Sequence, residues 1–126
     1  MLNHVKRTTI FVVLTAVLIC SELANAQWTF VTPTGSSSYS TSSDITGTGD
    51  AGDPSTGFAL DKEYRPTIFA AWFTEQSTGG TSTSASSWTG TLSPNPAWNS
   101  GGYHRLVLYA GGTNGGTFYS FGFAVN

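Results

Sequence analysis

The chemistry open to this sequence rests on two groups of acidic side chains, one histidine beyond the amino-terminal segment, and one loop tryptophan. Asp44 and Asp53 lie on either side of the Gly-rich stretch 47–52, and Asp50 lies within it. Carboxylates and carbonyls gathered in such a loop suit a hard cation, so calcium is the one candidate cofactor. The spacing is not that of an EF-hand, which needs acids at alternate positions and a closing glutamate. Asp53-Pro54 also reads as plain turn chemistry, because aspartate bonds its own backbone in turns. The second group, Asp61 and Glu63, interleaves with Lys62 and Arg65 and reads as a solvated, locally neutralised turn. Paired carboxylates can hydrolyse glycosides, but a small domain has little room for a cleft beside its core.

His104 stands on an apolar stretch beside Tyr103 and Arg105. A serine nucleophile would need a strained elbow and an oxyanion hole, and no G-x-S-x-G occurs. Zinc on a single histidine, with no cysteine left after export, lacks its usual ligands. His104 therefore reads as a surface or half-buried strand residue, and no catalytic residue is assigned. Trp98 differs from the other tryptophans because it lies in P-N-P-A-W-N-S-G-G, among turn and polar residues. An exposed indole there could stack on the apolar face of a sugar, with Asn95 and Asn99 as hydrogen-bonding neighbours. The alternative is an aromatic that folds back to cap one end of the core.

These residues must be positioned by strands. The first 26 of the 126 residues read as a signal peptide: a basic start at Lys6 and Arg7, an apolar run from Ile10 to Cys20, and the triplet Ala24-Asn25-Ala26 before Gln27. The apolar run is too short to span a membrane. Lipidation at Cys20 is disfavoured by the β-branched Ile19 before it. The remaining 100 residues suit a single domain, 27–126, with no thiol and no disulfide. Their three basic and six acidic side chains leave a net charge of −3 and no basic run. Nucleic acid, which demands several phosphate-neutralising cations, is excluded as a partner.

All fifteen glycines and all five prolines lie after the signal, in a chain rich in Ser and Thr, which opposes helix and favours strands and turns. The clearest strand is Thr67–Thr74, apolar on both faces and so central, with Trp72 in the core. Tyr103–Ala110 and Thr117–Val125 follow, the latter placing Tyr119, Phe121, Phe123 and Val125 on one side. Trp28–Val31, Ser43–Thr48, Gly57–Leu60 and Trp88–Leu92 are shorter candidates, with Trp28 and Trp88 also in the core. Ser77–Ser87 reads as a long surface loop, and G-G-T-N-G-G at 111–116 joins the last two strands. The fold class is all-β: an antiparallel sandwich of about 6–8 strands after the signal peptide.

The stretches S-W-T-G-T-L (87–92), G-G-Y-H-R-L-V-L-Y-A (101–110) and the G-G-T-N-G-G turn resemble the carboxyl half of bacterial immunoglobulin-like domains. The strand bearing Trp72 is similar to their central strand with its core aromatic. The resemblance covers Thr67 to Val125. The chain departs from that family in having one copy and no cysteine pair. It implies an immunoglobulin-like sandwich acting as a spacer or adhesion module. The expected function is extracellular binding or adhesion without catalysis, by a protein secreted or held in the cell envelope. A glycan or surface protein is the partner, with no membrane span after signal cleavage. The alternative is a self-associating structural subunit of the envelope, favoured if the strand from Tyr119 to Val125 leaves an exposed apolar edge.

Overall fold

A computed structural model describes residues 27–83 and 86–126. The expected signal peptide, 1–26, with Cys20, lies outside the described residues. Among those described there are eight β-strands and no helix: β1 Ser38–Tyr39, β2 Ile45–Asp50, β3 Gly57–Arg65, β4 Phe73–Thr81, β5 Ser87–Leu92, β6 Tyr103–Ala110, β7 Gly116–Phe121 and β8 Ala124–Val125. A wide antiparallel sheet has the order β4-β3-β6-β7, so β4 and β7 are its edges. β2 pairs antiparallel with β5, and the short β1 pairs parallel with β8. The segment after Trp28 runs beside β2, with the Thr29 and Val31 amides donating to the Asp50 and Thr48 carbonyls at 3.0 and 2.7 Å.

One apolar cluster joins these sheets. Phe58 and Leu60 of β3 and Leu106 and Leu108 of β6 meet Ile45 of β2 and Trp88 and Leu92 of β5, with Phe123 and Val125 at the carboxyl end. Strand alternation explains this choice, since residues two apart share a face. The Trp88 indole lies against glycine. A Cβ on Gly47 would stand 3.0 Å from the ring, and one on Gly49 would stand 1.7 Å from the Thr29 carbonyl oxygen. Trp28 and Trp88 are both in the core, at 2% and 1% exposure.

Four sequence expectations are corrected. The Thr67–Thr74 run is not a central strand: residues 66–72 form bends, a turn and open chain, and only Phe73 and Thr74 enter β4. β4 then continues through Glu75–Thr81, taking in part of the expected Ser77–Ser87 loop. Its polar side chains are tolerated because it is an edge strand hydrogen-bonded to β3. The D-K-E-Y-R turn is instead the second half of β3, where Lys62 is fully buried and Glu63 is 7% exposed. Finally, Gly122, at φ +84°, interrupts the alternation after β7. Phe123 and Val125 turn into the core while Tyr119 and Phe121 stay exposed on the wide sheet.

Candidate functional site

The face of the wide sheet turned away from the core is built by the outward residues of β3, β6 and β7. β3 supplies Arg65, Glu63 and Asp61, β6 supplies Tyr103, Arg105, Val107 and Tyr109, and β7 supplies Tyr119 and Phe121. The register sets Arg65 opposite Tyr103, Glu63 opposite Arg105, Arg105 opposite Phe121 and Val107 opposite Tyr119. Val107 is buried yet stands apart from the main core cluster, as expected beneath the surrounding rings. Tyr103, Tyr109, Tyr119 and Phe121 nevertheless keep 44–54% of their surface in water. Such a concentration of exposed aromatic surface on one face is unusual for a soluble monomer.

The 66–72 segment folds over this face and delivers Trp72. The Arg65 and Arg105 guanidinium carbons lie 4.4 and 4.3 Å from its ring centroid. Arg65 also lies 5.4 Å from the Tyr103 ring, and Arg105 5.0 Å from that of Tyr119. Stacking of this kind fits the planar, weakly hydrated guanidinium. Arg105 is held by Glu63, its Nη2 donating to both carboxylate oxygens at 3.0 and 3.2 Å and its Nε to Oε1 at 3.3 Å. Arg65 has no such clamp, and its Nε is buried without a hydrogen-bond acceptor among the described residues. Beyond Trp72, the tip of the same segment exposes Ile68 and, almost completely, Phe69. This surface can stack on apolar ring faces and donate hydrogen bonds to anionic or polar oxygens.

A second cluster lies inside. The Lys62 ammonium donates to Glu75 and, at 2.7 Å, to His104 Nδ1, which leaves His104 Nε2–H to donate to the Gly101 carbonyl. Glu75 also accepts from the Asn99 amide N–H and Nδ2 at 2.8 and 2.7 Å. Burial pushes the Lys62 ammonium below its ordinary pKa, against the pull of Glu75. Burial, and then the Lys62 charge, pushes the His104 imidazole down as well. Burial would raise Glu75, but the donors from Asn99 and Lys62 outweigh it and hold the carboxyl below its usual range. A lysine with no exposed surface cannot attack a ligand from solvent, so the cluster reads as a polar tie between β3, β4, β6 and the 93–102 loop.

The residues singled out from sequence are placed as follows. Trp98 is 3% exposed, with Nε1–H donating to the Ser43 carbonyl at 2.8 Å, and its ring lies 5.5 Å from the Lys62 ammonium. It therefore caps the core and offers no open face to a sugar, because its own amide and indole are satisfied within the fold. Asn95 is exposed, and Asn99 is engaged with Glu75. Asp44 and Asp50 bracket β2, about 20 Å apart at the usual strand rise. Asp53 is spent elsewhere, accepting from Trp28 Nε1 at 3.1 Å and from the Thr113 and Asn114 amides at 3.2 and 2.9 Å. The three aspartates thus do not meet in one loop, and no group of three metal-binding side chains occurs among the described residues.

Sequence reasoning missed the outer face. A signal was there in Tyr103-x-Arg105-x-Val107-x-Tyr109, a period of two carrying aromatic and cationic side chains together. No family model matches the chain, and no curated protein matches it. Among solved structures the chain is similar to macromomycin, at 15% identity and a TM-score of 0.46, over 75% of this chain and 94% of that one.

Proposed function

We propose that this chain is a secreted, non-catalytic binding protein, an immunoglobulin-like β-sandwich that presents the outer face of its wide sheet to an extracellular glycan. The observation that carries the reading is the partly exposed aromatic array of Tyr103, Tyr119 and Phe121 around the half-buried Trp72, interleaved with two arginines. Aromatic side chains offer broad apolar area with few rotors, which limits the entropy lost when a ligand is ordered. The guanidiniums and phenols beside them supply the directional contacts that orient a polyhydroxylated ligand. The two packed β layers support the sandwich class, and the net charge of −3 over residues 27–126 argues against nucleic acid.

A glycan array tests the reading. Wild type gives specific signals, and both W72A and the Y119A/F121A double variant lose them while remaining folded by circular dichroism. Undiminished binding by both variants refutes the proposed face.

Self-association is the second reading, favoured by Phe69 at 97% exposure and by the open edges of β4 and β7. Under that reading gel filtration shows concentration-dependent growth that F69S abolishes. Under the glycan reading the protein elutes as a monomer, and oligosaccharide matrices retard it.

A further inference from the structure

The two arginines of the outer face differ in a way that names the ligand's chemistry. Arg105 is compensated: Glu63, its register partner, takes three of its hydrogen bonds. Arg65, two residues along β3, faces Tyr103 instead of an acid. Its guanidinium lies over Trp72 and Tyr103, and its Nε has no acceptor among the described residues. The other acid in the outer row of β3, Asp61, lies at the far end and accepts a hydrogen bond from Ser77 Oγ at 2.7 Å. The row thus runs from an uncompensated cation at Arg65, through a neutralised pair, to an anion at Asp61.

Resting on the glycan reading above, we propose that the Arg65 end of the face is a carboxylate subsite, and that the glycan recognised carries uronic acid residues. A guanidinium suits a carboxylate because its planar fork matches the two oxygens and is always charged. The rings of Trp72 and Tyr103 exclude water from part of the fork and hold its plane, so less freedom is lost when an anion docks. With Nε enclosed, the terminal nitrogens of the half-buried side chain are the groups that meet the ligand. The recognition is local. The chain as a whole is acidic and does not accumulate anions at a distance, so the carboxylate must be delivered by a sugar whose neighbouring rings stack on the aromatics.

The test uses uronate oligosaccharides of several linkages (oligogalacturonate, alginate and hyaluronan fragments), each paired with its carboxyl-reduced neutral counterpart. Binding to wild type, R65Q and R65K is measured by calorimetry at low and high salt. The expected result is a preference of wild type for at least one uronate over its neutral twin by about tenfold or more, the size of one charge-assisted pair. That preference shrinks at high salt, vanishes in R65Q and is partial in R65K, each judged within the uronate and neutral pair for the same variant. Equal binding of both members of every pair by wild type overturns the carboxylate subsite and leaves the glycan face standing. So does a preference that survives R65Q. Binding to no glycan, charged or neutral, removes the glycan reading and the subsite with it. The comparison within each pair is made on wild type, so it stands even if R65Q fails to fold.

Discussion

Replacing Trp98 by alanine separates a core aromatic from a surface one, and Trp72 is its natural control. Trp98 is 3% exposed, and an indole buries on the order of 150–250 Å². At about 25 cal/mol per Å², that area is worth about 4–6 kcal/mol before relaxation, and measured losses for truncating a buried aromatic are about 3–5 kcal/mol. The change also strands the Ser43 carbonyl, which accepts the indole N–H at 2.8 Å, and uncovers one side of the buried Lys62 ammonium. A loss of about 3–5 kcal/mol is therefore expected for W98A, a large share of the 5–15 kcal/mol that roughly bounds a domain's stability. Trp72 is half-buried, and its contacts with Arg65 and Arg105 are partly solvated. W72A should cost about 1–2 kcal/mol, the sum of two modest cation–π contacts. Equilibrium urea unfolding followed by far-ultraviolet circular dichroism reads both, the midpoint moving while the slope stays constant. A W72A loss equal to or larger than that of W98A would refute the assignment of the two indoles and restore the 67–74 run as a core strand.

Two further outcomes follow from the polar contacts. The folded-state pKa of His104 lies below its ordinary value of 6.5 and that of Glu75 below 4.5, so the unfolded chain takes up each proton first as the pH falls. Stability should hold near neutral pH and decline as the pH drops below 6.5, with a further decline below 4.5. H104Q should remove the first decline and leave the second, as read from midpoints of unfolding across pH. A profile that H104Q leaves unchanged would contradict the buried neutral imidazole. Asp53→Ala removes the acceptor for Trp28 Nε1 and for the Thr113 and Asn114 amides. It should cost about 1 kcal/mol, since Trp28 Nε1 is only part-buried and the two amides are exposed and can bond to water instead. It should also speed hydrogen exchange at the amides of 113 and 114, while calcium leaves the wild-type melting temperature in place.

Much of the scaffold was legible in the residues themselves. The abundance of Gly, Ser, Thr and Pro pointed to strands and turns. The alternation in Tyr103–Ala110 located β6, and the short amphipathic strands bearing Trp28 and Trp88, with the burial tendency of tryptophan, placed both in the core. The candidate sites were less legible. The polar neighbours of Trp98 left it open between a sugar-stacking ring and a core cap, and what decides for the cap are the Thr41 and Ser43 carbonyls, more than fifty positions away, which receive its amide and indole. Lys62 looked solvated for the same reason. Its true surroundings are Glu75 and His104, brought beside it by the pairing of β3 with β4 and β6.

What the sequence determined by itself is the local grammar: which stretches extend, where glycine and proline turn the chain, and which residues share a side of each strand. A period of two sorts residues into two sets, but it does not say which set is covered. That was decided by the tertiary structure. The β2–β5 pair covers one face of the wide sheet and takes Phe58, Leu60, Leu106 and Leu108 inside. On the uncovered face, Arg65, Arg105, Tyr103 and Tyr119 are left with only Trp72 laid across them. The apolar run 67–72 lost its expected place in the core because β3 and β6 had already filled the sheet's centre, and hydrophobic burial is a property of the packed layers and not of any one segment.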